Sequence, residues 1–385
     1  MAILQDASPQ SSAAVIGRPA FRLSPVQGAH RAAVLAKLAS GEFTYEEVAT
    51  CLCGSSEAVT VARRDRFGIP VGVMACGACG LLRTSPRLAE AHLPAFYESD
   101  YHGLHFGVER PDVRTVLVRH GQGEAIYAYC QAFLPRHRGN RPIRVVEIGA
   151  GSGAVLRELE AAAAADGVQV ESTGCEYSPV YAEAARRTGI DVRAGGIETL
   201  LGIGLQPDLV VMSHVLEHFA DPTRDLELVS RLVGPDTIVY VEVPGLLTIH
   251  QKAQYDYQFG RYLTLAHTYH FTLATLTDTM ERVGFRRLRG DEEVRGLFAL
   301  AGESSALSPG IQPASAMERA ARLPQLLAYL NALQRSPLLR VRRAILRSRR
   351  GTRRAASAGA RSLLGERGTR AVRRLLGRRP SPPYC

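Results

Sequence analysis

Val145-Val146-Glu147-Ile148-Gly149-Ala150-Gly151-Ser152-Gly153 is the stretch that decides the fold. Its apolar start reads as a buried strand, and alternating glycines make the turn that leaves it. The next segment, Ala154 to Ala165, is rich in Ala, Leu and Glu and reads as a helix. Strand, glycine turn and helix together open a nucleotide-binding βαβ unit. Glycine lets the backbone approach a ligand and aim amide N–H groups at it. The glycines alone leave two ligands open, because Gly149 to Ala154 also satisfies the dinucleotide pattern G-x-G-x-x-G/A. Glu147 argues the other way. A carboxylate beside the ligand suits a cationic group better than a pyrophosphate.

The following strands extend the same unit. A second strand, Gln169–Cys175, ends in Glu176-Tyr177-Ser178-Pro179. Glu176 lies 27 residues after Gly149, where an acid can accept both hydroxyls of a ribose. The alternative is a surface charge at a strand end. Ser178 and Pro179 suit the N-cap and first position of a helix. A short third strand near Ile190–Arg193 precedes Gly195-Gly196-Ile197-Glu198. A fourth, starting at Pro207-Asp208, runs into Ser213-His214-Val215-Leu216-Glu217-His218-Phe219-Ala220-Asp221-Pro222. Ser213 and His214 fall at its carboxyl end, where open α/β sheets bind ligands. A fifth, Thr237–Val243, ends in Pro244-Gly245. Leu246–Tyr269 is long, rich in Tyr, Gln and His, and aperiodic. Such loops in compact domains are usually functional, so it is expected to cross the crevice and shape an acceptor site. Residues 285–301 read as a closing antiparallel hairpin.

Residues 145–153 resemble motif I of the class I S-adenosylmethionine-dependent methyltransferases, whose ligand carries an ammonium and a sulfonium. Val215-Leu216-Glu217-His218 with Asp221-Pro222 resembles the segment after strand four in their small-molecule members, and disfavours a dehydrogenase. The resemblance implies a Rossmann-like, mostly parallel sheet of seven strands. It implies S-adenosylmethionine held by Glu147, Gly149, Gly151, Gly153, Glu176, Tyr177, Ile197, Ser213 and His214. Glu217 and His218 are expected to fix the turn, with a catalytic role as the alternative. His267-Thr268-Tyr269-His270-Phe271-Thr272 resembles the family's His-x-x-aromatic-Phe-Ser segment. In the sugar C-methyltransferases its first His is the proposed base, which maps to His267. Their partner Tyr falls on Thr264, so Tyr262 is the candidate substitute. His270 replaces an aromatic and reads as packing.

Four of the seven cysteines lie within 29 residues, Cys51 and Cys53, then Cys76 and Cys79. In a cytosolic chain such pairs indicate metal more often than disulfides. Short strands at Val59–Arg63 and Val71–Ala75 between them complete a zinc-ribbon pattern, with four thiolates closing a structural site. The tight C-x-C first pair departs from the usual C-x2-C. Cys79 to Arg87 and Phe96 to His102 resemble the N-terminal zinc-binding segment of bacterial sugar and natural-product methyltransferases, which leads into the catalytic domain.

The 46% hydrophobic fraction supports a substantial core. No apolar run reaches the ~18–20 residues of a membrane span, and no signal peptide is evident. The protein is therefore expected in the cytoplasm. Residues 340–385 hold 15 Arg and one acid, Glu366, a charge of +14; the chain's net +10 leaves −4 for the remainder. Paired leucines among those arginines suit amphipathic basic helices that lie on an anionic membrane surface or bind nucleic acid. The expected organisation is a flexible 1–45 with a short helix at 29–39, and a ribbon at 46–95. A linker and helix follow at 96–141, then a catalytic domain at 142–303 and a helical Arg-rich region at 304–385. The expected activity is methyl transfer to a small molecule, a nucleotide-linked sugar or a glycan. An RNA methyltransferase and a non-catalytic adaptor are the rivals.

Overall fold

The computed structural model describes residues 17–108, 121–134, 141–302 and 314–348. The expected helix 112–134 is Gln122–Cys130 there, and its first residues lie outside the described ones. Residues 1–16 and 349–385 also lie outside.

The glycine turn leaves β6 (Ile143–Ile148), an interior strand of a seven-stranded sheet. β7 (Val170–Glu176) and β8 (Asp191–Ala194) follow on one side. β9 (Leu209–Ser213), β10 (Ile238–Glu242), β13 (Arg295–Leu300) and β12 (Phe285–Asp291) follow on the other. Only β13 runs antiparallel to its neighbours. Parallel strands are covered on both faces, so they read as continuous apolar runs; every residue of β9 is buried. One core contains Val146 and Met212, the other Val145 and Val211. Strand order reverses between β6 and β9, which puts a crevice at their carboxyl ends.

A smaller antiparallel sheet holds β2 (Ala58–Arg64), β3 (Pro70–Cys76) and β4 (Leu82–Thr84). Its fourth strand, β11 (Tyr269–His270), comes from the catalytic half of the chain, pairing Tyr269 with Arg83 and His270 with Leu82. The Thr84 N–H donates to Thr268 O at 2.9 Å, and Thr84 Oγ1 to His267 O at 2.7 Å. β1 (Tyr45–Glu46) pairs with β5 (Arg87–Leu88) beside it. Cys51, Cys76, Cys79 and Leu81 share a core with Val146, Met212 and Phe271. The cysteine segment thus has no core of its own.

Two elements differ from the sequence reading. The first helix spans Pro25–Ser40, starting earlier than 29. Ser24 Oγ accepts from the Gln27 N–H, Gln27 Oε1 accepts from the Ser24 N–H, and Pro25 occupies the first turn. That capping box sits inside a stretch whose Ser, Gln and Pro content suggested little order. The segment 246–269 is folded rather than open. It contains short turns at Ile249–Gln251, Ala253–Tyr255 and Phe259–Tyr262. Its Leu246, Ile249, Tyr255 and Phe259 pack with Val73 and Leu82 of the small sheet and Leu326, Leu330 and Leu333 of the helix Ala316–Arg335. Residues 337–348 form a further helical stretch.

Candidate active site

Gly149 and Gly151 both take positive φ, 70° and 54°, a region open to glycine at little cost. Their surroundings differ. A Cβ on Gly149 would come within 2.5 Å of Val215 Cγ2, whereas one on Gly151 would meet nothing within 4 Å. Gly149 therefore lets the turn close on the segment after β9, and Gly151 faces open space. Gly153 packs against Ile190 and Ala185 at the start of the helix Ala154–Ala165.

Glu176, at the tip of β7, leans over this turn. Its Oε2 accepts the Gly151 N–H at 3.0 Å and its Oε1 the Ser178 N–H at 2.8 Å. Beside it, Tyr177 is 80% exposed and Ile197 is buried. The Tyr177 hydroxyl stands where a side chain on Gly196 would be, 2.7 Å from an added Cβ. Tyr177 and the Gly196-Ile197 turn thus form one apolar wall next to Glu176.

Glu147 is buried one residue before the end of β6. Its ladder partner on β9 is Val211, and Val211 pairs with Tyr240. Two residues further along the same face, Ser213 and Glu242 stand opposite each other. Gln122 of the helix Gln122–Cys130 donates to both, at 2.6 Å to Ser213 Oγ and 3.4 Å to Glu242 Oε2. The Tyr240 hydroxyl donates to Glu242 Oε2 at 3.0 Å. Glu147, Ser213 and Glu242 so form a polar row along the strand tips. Gln122 and Glu242 carry no motif and were missed; a lone acid ending an otherwise apolar β10 was the available signal.

His214 begins the turn after β9 with φ 56°, its N–H donating to Glu242 O at 2.8 Å. Its Nδ1 lies 3.5 Å from Glu217 Oε1. Glu217 and His218 close this turn, and His267 packs on them, 4.9 Å from the His218 ring. His267 is buried, and desolvation together with the neighbouring His218 pushes its imidazole well below its usual pKa. Tyr97, in the aromatic segment before the catalytic domain, sits with its hydroxyl 2.9 Å from His218 Nδ1.

The structure does not bring Tyr262 to His267. The Tyr262 hydroxyl donates to Pro244 O at 3.0 Å, and its ring stands 5.4 Å from His270. Thr264, at the position of the family's tyrosine, binds His105 Nε2 instead, at 2.5 Å.

Cys51, Cys53, Cys76 and Cys79 converge, their sulfurs all within 4.8 Å of one another. Cys51 and Cys79 are 3.7 Å apart, and Cys53 and Cys76 3.5 Å. A disulfide needs about 2.05 Å. A tetrahedron with zinc–sulfur bonds of about 2.3 Å has edges of roughly 3.8 Å, so the spacing fits a zinc ion. The Cys79 hydrogen bond lowers the Cys51 thiol from its usual range.

Residues 119–289 match a family model described as a methyltransferase domain. These residues carry a methyltransferase domain. None of the curated proteins matches the chain. Among solved structures the chain is similar to the plantazolicin methyltransferase BpumL in complex with SAH, at 15% identity over 62% of this chain and 88% of that one, TM-score 0.40. It is also similar to human N-acetylserotonin methyltransferase in complex with SAM, at 18% identity over 56% of this chain and 60% of that one, TM-score 0.40. A third is the complex of the Haloferax volcanii Trm112 methyltransferase activator and a putative methyltransferase, at 16% identity over 50% and 99%, TM-score 0.35. Likenesses at this level decide neither acceptor nor mechanism. The chain spans about three fifths of the human structure's length.

His270 packs as the sequence suggested, and burial holds its imidazole down at about 3. Between its unfolded value of 6.5 and about 3, the unfolded chain binds a proton there that the folded chain does not. Stability therefore falls as pH drops through that window, by up to ~1.4 kcal/mol per pH unit for this one group. His270→Phe should flatten the acid limb of the melting temperature against pH. An unchanged slope would mean that His270 is not the group excluded from protonation.

Proposed function

We propose that this enzyme methylates a small-molecule acceptor, with a nucleotide-linked sugar or a glycan as the favoured class, and that S-adenosylmethionine lies over the tips of β6, β7 and β9. The observation that carries the reading is the Glu176 carboxylate folded over the Gly151 N–H. The same two oxygens can accept ribose hydroxyls when a ligand takes the place of those backbone contacts. Glu147, with Ser213 and Glu242 along the same face, supplies negative charge for the donor's cationic end. Gly149 and Gly153 shape the turn, Gly151 leaves space for the donor, and Tyr177 and Ile197 flank an adenine. His214 stands where donor and acceptor meet.

The bound donor supplies an activated methyl group on a positively charged sulfur. The protein's task is mainly to hold an acceptor nucleophile in line with that methyl carbon, and orientation of this kind is worth up to ~7–11 kcal/mol. An acceptor that must lose a proton needs a base within hydrogen-bond reach. His267 is that base in this reading. Its depressed basicity keeps it neutral and able to accept at physiological pH. Tyr262 acts through packing on His270 rather than on the proton. Zinc at the four cysteines fixes β3 and β4, and through them β11 and His267.

The arginine-rich region is proposed to rest on an anionic membrane surface. Leu338, Val341 and Ile345 are exposed at helical spacing on residues 337–348, which also carry Arg340, Arg342, Arg343 and Arg347. That combination favours a lipid interface over a nucleic acid. Among the described residues no helix is long and apolar enough to cross a membrane.

Calorimetry tests the donor site. Wild-type protein should bind S-adenosylmethionine, and Glu176→Ala should weaken it about 10- to 100-fold, as expected for losing charge-assisted hydrogen bonds of ~1.5–3 kcal/mol. A folded wild type that ignores the donor would end the proposal. Cys76→Ser should release zinc, read by elemental analysis, and lower the melting temperature. Truncation after residue 348 should reduce sedimentation with phosphatidylserine vesicles but not with phosphatidylcholine ones. Equal binding to both, or retention only of RNA, would refute the lipid assignment.

A further inference from the structure

The turn after β9 and the segment before β11 together bury a group of ligand atoms of which the proposed methyl transfer uses only His267. Glu217 and His267 are each 1% exposed. Both carboxylate oxygens of Glu217 and both ring nitrogens of His267 lack a hydrogen-bond partner among the described residues. Glu217 Oε1 lies 3.5 Å from His214 Nδ1, an ion-pair contact too long for a good hydrogen bond, and leaving buried groups so weakly matched is costly, most of all for a carboxylate. His218 adds a third donor atom in a fixed tautomer. Its Nδ1 lies 3.0 Å from Ala266 O. A carbonyl can only accept, so Nδ1 carries the proton and Nε2 presents a lone pair. That lone pair lies 3.9 Å from Glu217 Oε1. One ligand atom from each of Glu217, His218 and His267 falls within 4.8 Å of the others.

We infer that Glu217, His218 and His267 bind a divalent transition-metal ion, a second metal centre distinct from the four cysteines. A single proton would satisfy one of the four unmatched atoms of Glu217 and His267. A cation engages all three residues at once. Two imidazoles and one carboxylate suit zinc, iron(II), cobalt(II) or manganese(II), whereas the thiolate site selects soft zinc. The outer contacts match this role. A ligating His commonly donates its other ring N–H to a carbonyl, as His218 does to Ala266. The two ligand-bearing segments are clamped beside the site. Thr268 donates through its N–H at 2.8 Å and its Oγ1 at 3.0 Å to Glu217 O, and Thr84 Oγ1 holds His267 O.

Three protein ligands leave coordination positions open, and an acceptor oxygen can take one. This deepens the methyl-transfer reading, on which it rests for the acceptor alone. The ion would lower the pKa of a coordinated hydroxyl, and His267 would serve as ligand instead of base. Acceptors offering a hydroxyl or carbonyl oxygen next to the methylated atom become the favoured class.

Metal content of the full chain tests the inference without turnover. Protein stripped with chelator and reloaded with cobalt(II) should hold two ions per chain. Glu217→Gln should hold one, keeping the thiolate-to-cobalt absorption of the cysteine site. Manganese(II) binding by wild type, read by electron paramagnetic resonance, gives a measure that needs no variant. It should be present in wild type and absent in His267→Asn. One ion per chain in wild type with no manganese bound, or two ions in Glu217→Gln, would overturn the second centre. Either result would leave donor binding, measured by calorimetry, untouched. Failure of donor binding with two metals present would instead remove the methyl-transfer reading and keep the metal site.

Discussion

Thr268 holds the acceptor side of the molecule together. Its N–H and hydroxyl both reach Glu217 O, and its carbonyl accepts the Thr84 N–H. One residue thus ties the turn after β9 to the strand β4 of the cysteine-bearing sheet. The neighbouring His267 carbonyl takes the Thr84 hydroxyl. Five backbone groups are satisfied between chain segments that are far apart in sequence. A buried segment with two strand residues cannot satisfy its own polar groups, so these cross-links are what let His267 sit at 1% exposure. Ordering at the cysteines is transmitted through β3 and β4 to β11 and so to the imidazole.

This coupling gives the small sheet a function beyond closing itself. Cys76 ends β3, and Cys79 lies in the turn before β4. Three of the four cysteines lie in the same apolar cluster as Phe271 and Met212. A metal-closed fold with an independent core would have left the catalytic domain unaffected by its loss. Here the sulfurs form one wall of a shared core. On the opposite side, the helix Ala316–Arg335 covers the segment 246–263, and its Arg322 pairs with Asp278 of the helix Leu273–Arg282 at 2.5 Å. The acceptor side is therefore assembled from three regions of the chain, while the donor side comes almost wholly from consecutive βα units.

That difference explains what could be read from sequence. The donor side rests on local signals, a glycine turn, apolar strand runs and an acid at fixed spacing. The 27-residue interval from Gly149 to Glu176 becomes a hydrogen bond to Gly151 in space. β6, β7 and β9 fall within a residue or two of where periodicity puts them. β11 has two residues, too few for any period to register, and its partner lies nearly 190 positions earlier. Leu326 and Leu330 read as one face of an isolated helix; that they bury Tyr255 and Phe259 is a long-range fact. Gln122 was within a predicted helix but had no reason to be singled out until Ser213 and Glu242 stood beneath it.

The two sides meet in the turn from Ser213 to His218, and His214 shows the cost of serving both. A non-glycine residue at φ 56° is strained by about 1–3 kcal/mol. Glycine there would relieve that strain while keeping the bond from its N–H to Glu242 O. It would remove the imidazole standing between Glu217 and Glu242, at 3.5 Å and 4.0 Å. The left-handed conformation turns the chain sharply enough to set Ser213 beside Gln122 and Glu217 beside Thr268 within four residues. Retaining a side chain at such a position is consistent with a part in the site's electrostatics: the imidazole separates two carboxylates that would otherwise repel across the crevice.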